Sequence, residues 1–383
     1  MTDLDQRMRR AAAPVCKAWD IANVRFGRPD LEIQRRFLED FGLTTTQTRP
    51  KRLAMRAAGG YGPCVLIEQT AKPIFLGVSL AVPAREDLDR LAALPEASSV
   101  EAAEDWAEGL QVRLRDPAGN VVRAVFGPRA SAPSPREAMV KNLIEHRPRL
   151  NDVQRPPHGP SQVRRLGHAV VNVVDFFACV RWYMDTFGLI ASDVQTLPDG
   201  DPALVFMRCD RGDIPADHHT LVLVQHVVNG YGHCAFECID LDDVAMGQEH
   251  LQARGWTHAW GLGRHLLGSQ LFDYWRDPVG DKFEHFVDSD MFTADRPADT
   301  TPLSTEGLYQ WGPPLPADFE RPKLTLGYVW TAIQNVRASR EMTYARMRAL
   351  LKAAGAPSRP WARHSTHDKE EDPDGHSGRA LQR

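Results

Sequence analysis

Residues 261–286 read GLGRHLLGSQLFDYWRDPVGDKFEHF, and this stretch indicates how the chain folds and where its chemistry lies. It begins as a loop with a histidine, continues as an apolar strand, turns tightly at Asp-Pro-x-Gly and returns as a second strand. Glu284 lies in that second strand, on the face of Phe286 and opposite Phe283. Because a buried carboxylate is costly unless a positive charge meets it, Glu284 is a candidate ligand of a metal ion.

The same turn occurs in the first half of the chain, which indicates that the sequence contains an internal duplication. RDPVGD at 276–281 matches RDPAGN at 115–120, and TFGL at 186–189 matches DFGL at 40–43. Each half also shows the order strand, helix and three strands twice over. The pattern predicts an α+β fold of four tandem βαβββ modules, paired into two domains.

Composition along the chain sets the boundaries of these domains. It predicts five segments, which are a first domain (1–127), a linker rich in proline and charge (128–162), a second domain (163–288), a C-terminal extension (289–358) and a disordered polar tail (359–383). Within the extension, a loose apolar pattern over residues 326–354 predicts one helix.

The overall composition is that of a globular protein, with 43% apolar and 25% charged residues. A net charge of −4 gives no reason to expect nucleic acid or an anionic membrane surface as a partner. No run reaches the ~18 apolar residues of a membrane span. The N-terminus lacks an apolar signal core and the 6 cysteines form no CxxC pair, so a reduced, cytoplasmic protein is expected.

Two histidines in strand patterns of the second half complete a candidate metal site with Glu284. They are His168 in LGHAVVNVV and His233 in GYGHCAFECI, and the first 145 residues contain no histidine. When the two halves are aligned, the three candidates fall opposite residues of a different type, which are Ala22, Leu76 and Arg123. Residues required by the fold would be expected in both copies, so these three are expected to serve a site.

Two imidazoles and one carboxylate on one face of a metal leave adjacent coordination positions open. This arrangement suits Fe(II) that must hold a substrate and dioxygen together, with Mn(II) as the alternative ion. A closed structural zinc site would use four ligands, commonly with sulfur. Each histidine alone would fit a hydrogen-bonded position in the core, but the combination with Glu284 and the absence from the first copy favour a metal.

The motifs around these residues resemble those of the type I extradiol ring-cleavage dioxygenases of the vicinal oxygen chelate superfamily. The matching motifs are LGHAVVNVVD, then HHT followed by GYGHCAFECIDLDDV, then GRH, a tyrosine and DPVGDKFE. The resemblance extends over about 163–288, and the first half is similar to the metal-free domain of these enzymes. The three motifs in this order are specific, whereas any one alone is a weak signal.

The resemblance implies roles for three further residues. His219, 14 residues before His233, resembles the histidine beside bound oxygen, and His265, 19 residues before Glu284, resembles the one that hydrogen-bonds a substrate oxygen. Tyr274, ten residues before Glu284, resembles the tyrosine that contacts the catechol hydroxyl.

The function implied by the resemblance is an Fe(II)-dependent extradiol dioxygenase of aromatic compound catabolism. It would insert both atoms of O2 beside the vicinal diol of a catecholic small molecule and give a ring-opened semialdehyde-type acid. Tyr274 or a neighbouring base would take a proton from the diol, and His219 would act as an acid–base group. His218 points to the other strand face and is expected to be structural. A homo-oligomer is also expected.

Two alternative functions stay open at this point. One is another enzyme of the superfamily, such as a 4-hydroxyphenylpyruvate-type dioxygenase, which does not need the HHT histidine. A glyoxalase or epimerase would need a fourth protein ligand, and none is evident. A non-catalytic aromatic or drug-binding protein of the bleomycin-resistance type would lack metal ligands. The sequence also leaves open whether the substrate ring is single, fused or biaryl.

Overall fold

The computed structural model describes residues 7–104, 106, 108–131, 137–304, 306–320 and 324–354. The predicted disordered tail at 359–383 lies outside the described residues. Among the described residues, no helix combines the length and the apolar character that are needed to cross a membrane.

The first half forms two βαβββ modules, and most of its strands make one sheet. Its elements in chain order are β1 (Asp20–Arg28), α1 (Leu31–Asp40), β2 (Thr44–Arg49), β3 (Arg52–Arg56), β4 (Gly59–Tyr61), β5 (Val65–Gln69), β6 (Ile74–Ala81), α2 (Arg85–Ala92), β7 (Glu101–Ala102), β8 (Leu110–Arg115), β9 (Val121–Phe126) and β10 (Arg129–Ser131). The sheet has the order β2-β3-β5-β1-β6-β9-β8-β7, and β4 pairs with β10.

The second half repeats this plan, and the extension adds a strand to each edge of its sheet. The elements are β11 (Arg165–Val173), α3 (Phe176–Phe187), β12 (Ile190–Thr196), β13 (Pro202–Arg208), β14 (Ala216–Asp217), β15 (Leu221–Gln225), β16 (Gly230–Glu237), α4 (Leu241–Ala253), β17 (Thr257–His265), β18 (Leu271–Arg276), β19 (Lys282–Val287), β20 (Met291–Phe292), β21 (Asp299–Pro302), a 3-10 helix (Glu306–Leu308), β22 (Tyr309–Trp311), α5 (Leu326–Ala338) and α6 (Tyr344–Ala354). The sheet order is β21-β12-β13-β15-β11-β16-β19-β18-β17-β22. The predicted α+β fold of four modules is confirmed.

Local sequence signals explain where these elements begin and end. The side chain of Asp30 accepts hydrogen bonds from the first free backbone N–H groups of α1. Gly188 ends α3 in the left-handed conformation, with a φ of 63°, which a residue without a Cβ adopts easily. In the turn before β19, Oδ1 of Asp277 accepts the backbone N–H of Asp281 at 2.8 Å.

The prediction of one helix over 326–354 is wrong, because the chain breaks into α5 and α6 at residues 339–343. In this break, Glu341 accepts hydrogen bonds from the backbone N–H groups of Phe177 at 2.7 Å and Ala178 at 3.0 Å. A carboxylate is favourable there, since these N–H groups belong to the first turn of α3 and have no partner within the helix. The break therefore attaches the extension to the second half.

The two halves share one hydrophobic core. Phe37 of α1 and Phe41, the residue after this helix, are buried, and their ring centroids lie 5.5 Å from Phe283 and Phe236 of the second half, respectively. Nε2 of His285 donates to the carbonyl oxygen of Phe41 at 2.7 Å, and the two rings stack. The strand that carries Glu284 is thus packed against the first half, while the domain boundaries proposed above stay a prediction.

Candidate functional site

The three candidate metal ligands lie on adjacent strands of the second sheet. His168 on β11 pairs with Ala235 on β16, which in turn pairs with Glu284 on β19. His233 lies two residues before Ala235 and therefore on the same face of β16. Ala235 lies between His168 and Glu284, and its single methyl group leaves space between their side chains.

The ligand atoms converge on one point. Oε2 of Glu284 lies 3.4 Å from Nε2 of His168 and 3.2 Å from Nε2 of His233, and one ligand atom from each residue lies within 4.8 Å of the others. Two ligands about 2.1 Å from a common ion and at right angles to each other are about 3 Å apart. The arrangement therefore has the size that a divalent cation requires.

Glu284 also has the chemistry of a ligand. Its side chain is 0% exposed, and within the described part of the chain neither carboxylate oxygen has a hydrogen-bond partner. A buried carboxylate whose oxygens accept no hydrogen bond is strongly unfavourable, so a cation at this point would explain why Glu284 is tolerated. The residues present fit a metal ion.

The pKa shifts favour the protonation states that bind metals. Burial by itself would raise the pKa of Glu284, but the imidazoles of His168, His233 and His265 outweigh burial and hold it well below its usual range. Burial lowers the pKa of His233, although Glu284 opposes that shift. A carboxylate and a neutral imidazole are the forms that coordinate a metal.

In the first half, the three positions equivalent to the ligands carry no such set, and two of the predicted equivalents lie one residue early. By strand pairing, His168 corresponds to Asn23 and His233 to Gly77, whereas Arg123 occupies the position of Glu284 as predicted. Both halves carry a β-bulge at this point, so their strands match with Asn23 opposite His168, whereas the Phe-Gly-Leu segments at 41–43 and 187–189 match with one more residue between the halves. An alignment anchored on the Phe-Gly-Leu segments therefore places Ala22 opposite His168.

His219 lies beside the proposed metal position. It lies two residues before β15 and lines a cavity, and its ring centroid is 4.0 Å from that of His168. Its pKa is held well below the ordinary histidine value, first by burial and then by the neighbouring His168 and His218. His219 is therefore a neutral imidazole in the folded protein.

His218 connects His219 to a buried carboxylate that the sequence analysis missed. Nε2 of His218 lies 2.5 Å from Oδ2 of Asp193 on β12, and its Nδ1 lies 2.8 Å from Nδ1 of His219. Since a carboxylate only accepts, Nε2 of His218 is the donor, and Nδ1 of a neutral His218 must accept from His219. The acid within the apolar strand IASDVQT was the available signal for this pair.

His265 and Tyr274 lie on the other side of Glu284. Nδ1 of His265 donates to the carbonyl oxygen of Leu308 at 2.7 Å, so Nε2 of the neutral ring accepts from the Tyr274 hydroxyl at 3.0 Å. Tyr274 pairs with Glu284 across β18 and β19. Its pKa is raised well above 10, first by burial and then by Glu284, so the phenol stays protonated.

A cavity of about 400 Å³ opens from these residues. Most of its wall is apolar, and the sheet contributes one side of it. The extension contributes the other side, with Leu303, Leu308, Phe319, Tyr328, Met347 and Leu350. Phe319 is the last residue of the segment WGPPLPADF at 311–319, and a cavity of this volume is typical of small-molecule sites.

Comparisons with known proteins agree with this architecture. A family model described as the Glyoxalase/Bleomycin resistance protein/Dioxygenase superfamily matches residues 165–285. Metapyrocatechase 2 of Cupriavidus necator is 31% identical over 329 residues, which cover 83% of this chain and 97% of that protein. An iron-dependent extradiol dioxygenase of Rhodococcus jostii (strain RHA1) is 28% identical over 203 residues, covering 48% of this chain and 60% of that protein.

The fold is also that of solved structures. The Mn(II)-bound glyoxalase from Novosphingobium aromaticivorans superposes with a TM-score of 0.66 at 20% identity, covering 81% of this chain and 97% of that one. That likeness concerns the fold, whereas the likeness to metapyrocatechase 2 extends over nearly the whole of the relative at the level of sequence. The chain therefore belongs to the extradiol ring-cleavage dioxygenases of the Glyoxalase/Bleomycin resistance protein/Dioxygenase superfamily.

Proposed function

We propose that the protein is an Fe(II)-dependent dioxygenase that opens the ring of a catecholic substrate beside its two hydroxyls, with His168, His233 and Glu284 as the metal ligands. The observation that carries the proposal is the buried Glu284 carboxylate, which faces two imidazoles and has no hydrogen-bond partner among the described residues. A ferrous ion bound there would bring the diol and dioxygen together and pass electrons between them. The semialdehyde-type product follows from cleavage beside the diol.

Iron is the proposed ion because the Rhodococcus relative is named as iron-dependent. Manganese is the alternative, since the glyoxalase of similar fold was solved with Mn(II). The ligand set itself suits either ion.

Tyr274 and His265 are proposed to remove a proton from the diol. Because the Tyr274 phenol stays protonated, it is not itself a base, but it can accept the substrate proton while passing its own to Nε2 of His265. The carbonyl of Leu308 fixes the tautomer that leaves Nε2 of His265 able to accept. The extension thus contributes to the orientation of this pair.

His219 is proposed as the acid–base group on the dioxygen side. With its Nδ1 hydrogen committed to His218, its Nε2 is the nitrogen that accepts a proton and later returns it to the reacting oxygen. Asp193 holds His218 and therefore fixes the tautomer of His219, so Asp193 and His218 act as positioning residues.

Each segment of the chain is proposed to have a separate role. The domain at 1–127 would be a metal-free scaffold, the domain at 163–288 would hold the reaction, and the extension at 289–358 would close the cavity. The homo-oligomer and the cytoplasmic location expected from the sequence stay predictions.

The test is anaerobic reconstitution of the full chain with Fe(II), followed by catechol, a methylcatechol and a dihydroxybiphenyl in air. We expect oxygen uptake in proportion to a yellow ring-opened product, and a parallel sample with Mn(II) identifies the preferred ion. A protein that binds iron stoichiometrically but consumes no oxygen with any diol would show that the proposed function is wrong.

A further inference from the structure

The cavity is largely apolar, but one end of it is polar. Gln195 on β12 and Gln225 at the end of β15 both line it, and they are 1% and 3% exposed. The cavity wall beside them is formed by side chains such as Leu204, Val224 and Leu303. Two buried amides among such neighbours need hydrogen-bond partners.

Part of that hydrogen-bonding capacity is unused in the described part of the chain. Oε1 of Gln225 accepts from Nε of Arg346 at 2.7 Å, which fixes the orientation of the amide, and Nε2 of Gln225 has no acceptor. Oε1 of Gln195 has no donor. A donor would satisfy Gln195 and an acceptor would satisfy Gln225, and a hydroxyl group can supply either.

The polar end lies well away from the proposed metal ligands. Gln195 on β12 pairs across the sheet with Leu204, and Leu204 pairs with Val224. Val224 in turn pairs with Asn172 on β11, which is four residues after His168. Four residues of strand span roughly 13 Å, which is more than a bare catechol ring covers. A substrate must carry a substituent to reach the two amides.

The charge at this end favours a neutral group over an anion. Arg346 is the cation nearest to the amide of Gln225, and its guanidinium is already bound to Asp201 at 3.1 Å and to the carbonyl oxygen of Pro202. The positive charge is therefore balanced by Asp201, and the two glutamines themselves are uncharged.

We propose that Gln195 and Gln225 form a subsite for a neutral polar group, such as a hydroxyl, at the end of an apolar substituent on the diol. This inference rests on the proposed function, because the diol must bind at the triad for the substituent to point along β11. The substrate class is then a catechol with an extended side chain that ends in a polar group.

The test compares two catechols whose side chains are equally long, one n-pentyl and one hydroxylated at the end of the pentyl chain. The Fe(II)-reconstituted full chain is used, with dissociation constants measured anaerobically and kcat/KM measured in air. We expect the hydroxylated compound to bind the unchanged protein more tightly. In Gln195→Met, which removes the carbonyl and NH2 groups of the Gln195 amide at nearly constant volume, the preference should shift by about tenfold toward the pentyl compound.

Gln34→Leu is the matched control. Gln34 is a buried glutamine of α1, 1% exposed, whose two amide atoms have no hydrogen-bond partner among the described residues, and it does not line the cavity. Its substitution should leave the ratio of the two dissociation constants unchanged.

Each outcome separates the subsite from the reaction. If the unchanged protein cleaves both compounds but binds the pentyl compound equally well or better, the subsite is refuted and the proposed function stands. The same conclusion follows if Gln195→Met keeps the original ratio. If no catechol is cleaved while iron is bound, the proposed function is refuted, and so is the subsite that rests on it.

Discussion

The guanidinium of Arg28, in the first half, donates from Nε to Oδ2 of Asp277, in the second half, at 3.0 Å. Its Nη2 also donates to Asp281 at 2.6 Å, so both acids of the Asp-Pro-x-Gly turn before β19 bind one cation from the other half. Arg28 is 0% exposed. The turn that leads to Glu284 is thus fixed by a residue nearly 250 positions away in the chain.

Removing this cation should weaken the fold. In Arg28→Met the two acids lose their partner, and Asp277 becomes a buried carboxylate without a counter-charge, so we expect the free energy of unfolding to fall by about 3–5 kcal/mol. Urea unfolding followed by circular dichroism measures it. Arg35→Met is the control, since Arg35 makes its ion pairs with Glu32 and Glu39 at the surface of α1. Equal stability of the two variants would contradict the prediction.

Glu284→Gln should lose iron and activity together. The neutral amide keeps the size of the side chain but removes the charge that a cation requires, so we expect iron affinity to fall by roughly 100-fold or more. Iron per chain is measured after dialysis, and turnover by oxygen uptake. Glu237→Gln is the control, because Glu237 pairs with Arg165 rather than with the triad. A Glu284→Gln protein with full iron and full turnover would remove Glu284 from the site.

His219→Phe should keep iron but slow ring opening. Phenylalanine fills the space of the imidazole and cannot move a proton, so we expect kcat to fall by about 10²–10⁴-fold. Asp193→Asn should give a smaller loss, since the chain of hydrogen bonds stays in place but loses its charge. Stopped-flow absorbance measures both, with His250→Gln as the control, because His250 pairs with Asp40 and does not line the cavity. Unchanged turnover in His219→Phe would exclude the proposed role.

Ala235→Val tests whether the space between the ligands matters. The added methyl groups would project from β16 into the gap between His168 and Glu284, so iron affinity should fall although no ligand is changed. Calorimetric Fe(II) titration under anaerobic conditions measures the change. Cys234→Val, on the other face of the same strand, should not weaken iron binding beyond its effect on stability. Equal affinity in both variants would show that Ala235 is not beside the ion.

The thiols should be unreactive in the native protein. All 6 cysteines are free and buried, and burial is the main cause that raises the pKa of Cys16, Cys64 and Cys209 to about 12. At pH 8 the thiolate, which is the reactive form, is therefore scarce in the folded state. Ellman's reagent should titrate less than about one thiol per native chain and all of them in guanidinium. Rapid reaction of several native thiols would contradict the burial.

The repeat and the triad were accessible to sequence reasoning because both leave local marks. The Asp-Pro-x-Gly turns and the Phe-Gly-Leu segments recur literally, and a histidine or glutamate in an apolar strand is conspicuous. The equivalent of His168 was predicted one residue early, since the second half has one more residue between this strand and its Phe-Gly-Leu segment, and the sequence does not show where that residue is inserted. Contacts between distant segments, such as Leu308 with His265, depend on tertiary packing and leave no local signal.

The C-terminal extension, with its two helices, has a consequence for how such proteins diverge. All proposed ligands lie before residue 288, whereas Tyr328, Met347 and Leu350 form cavity wall on α5 and α6. A substitution on these helices would alter which side chains of a catechol fit, while the electronic properties of the ion stay as they are. Mutations in this peripheral segment are therefore expected to change substrate preference while the proposed metal ligands stay unchanged.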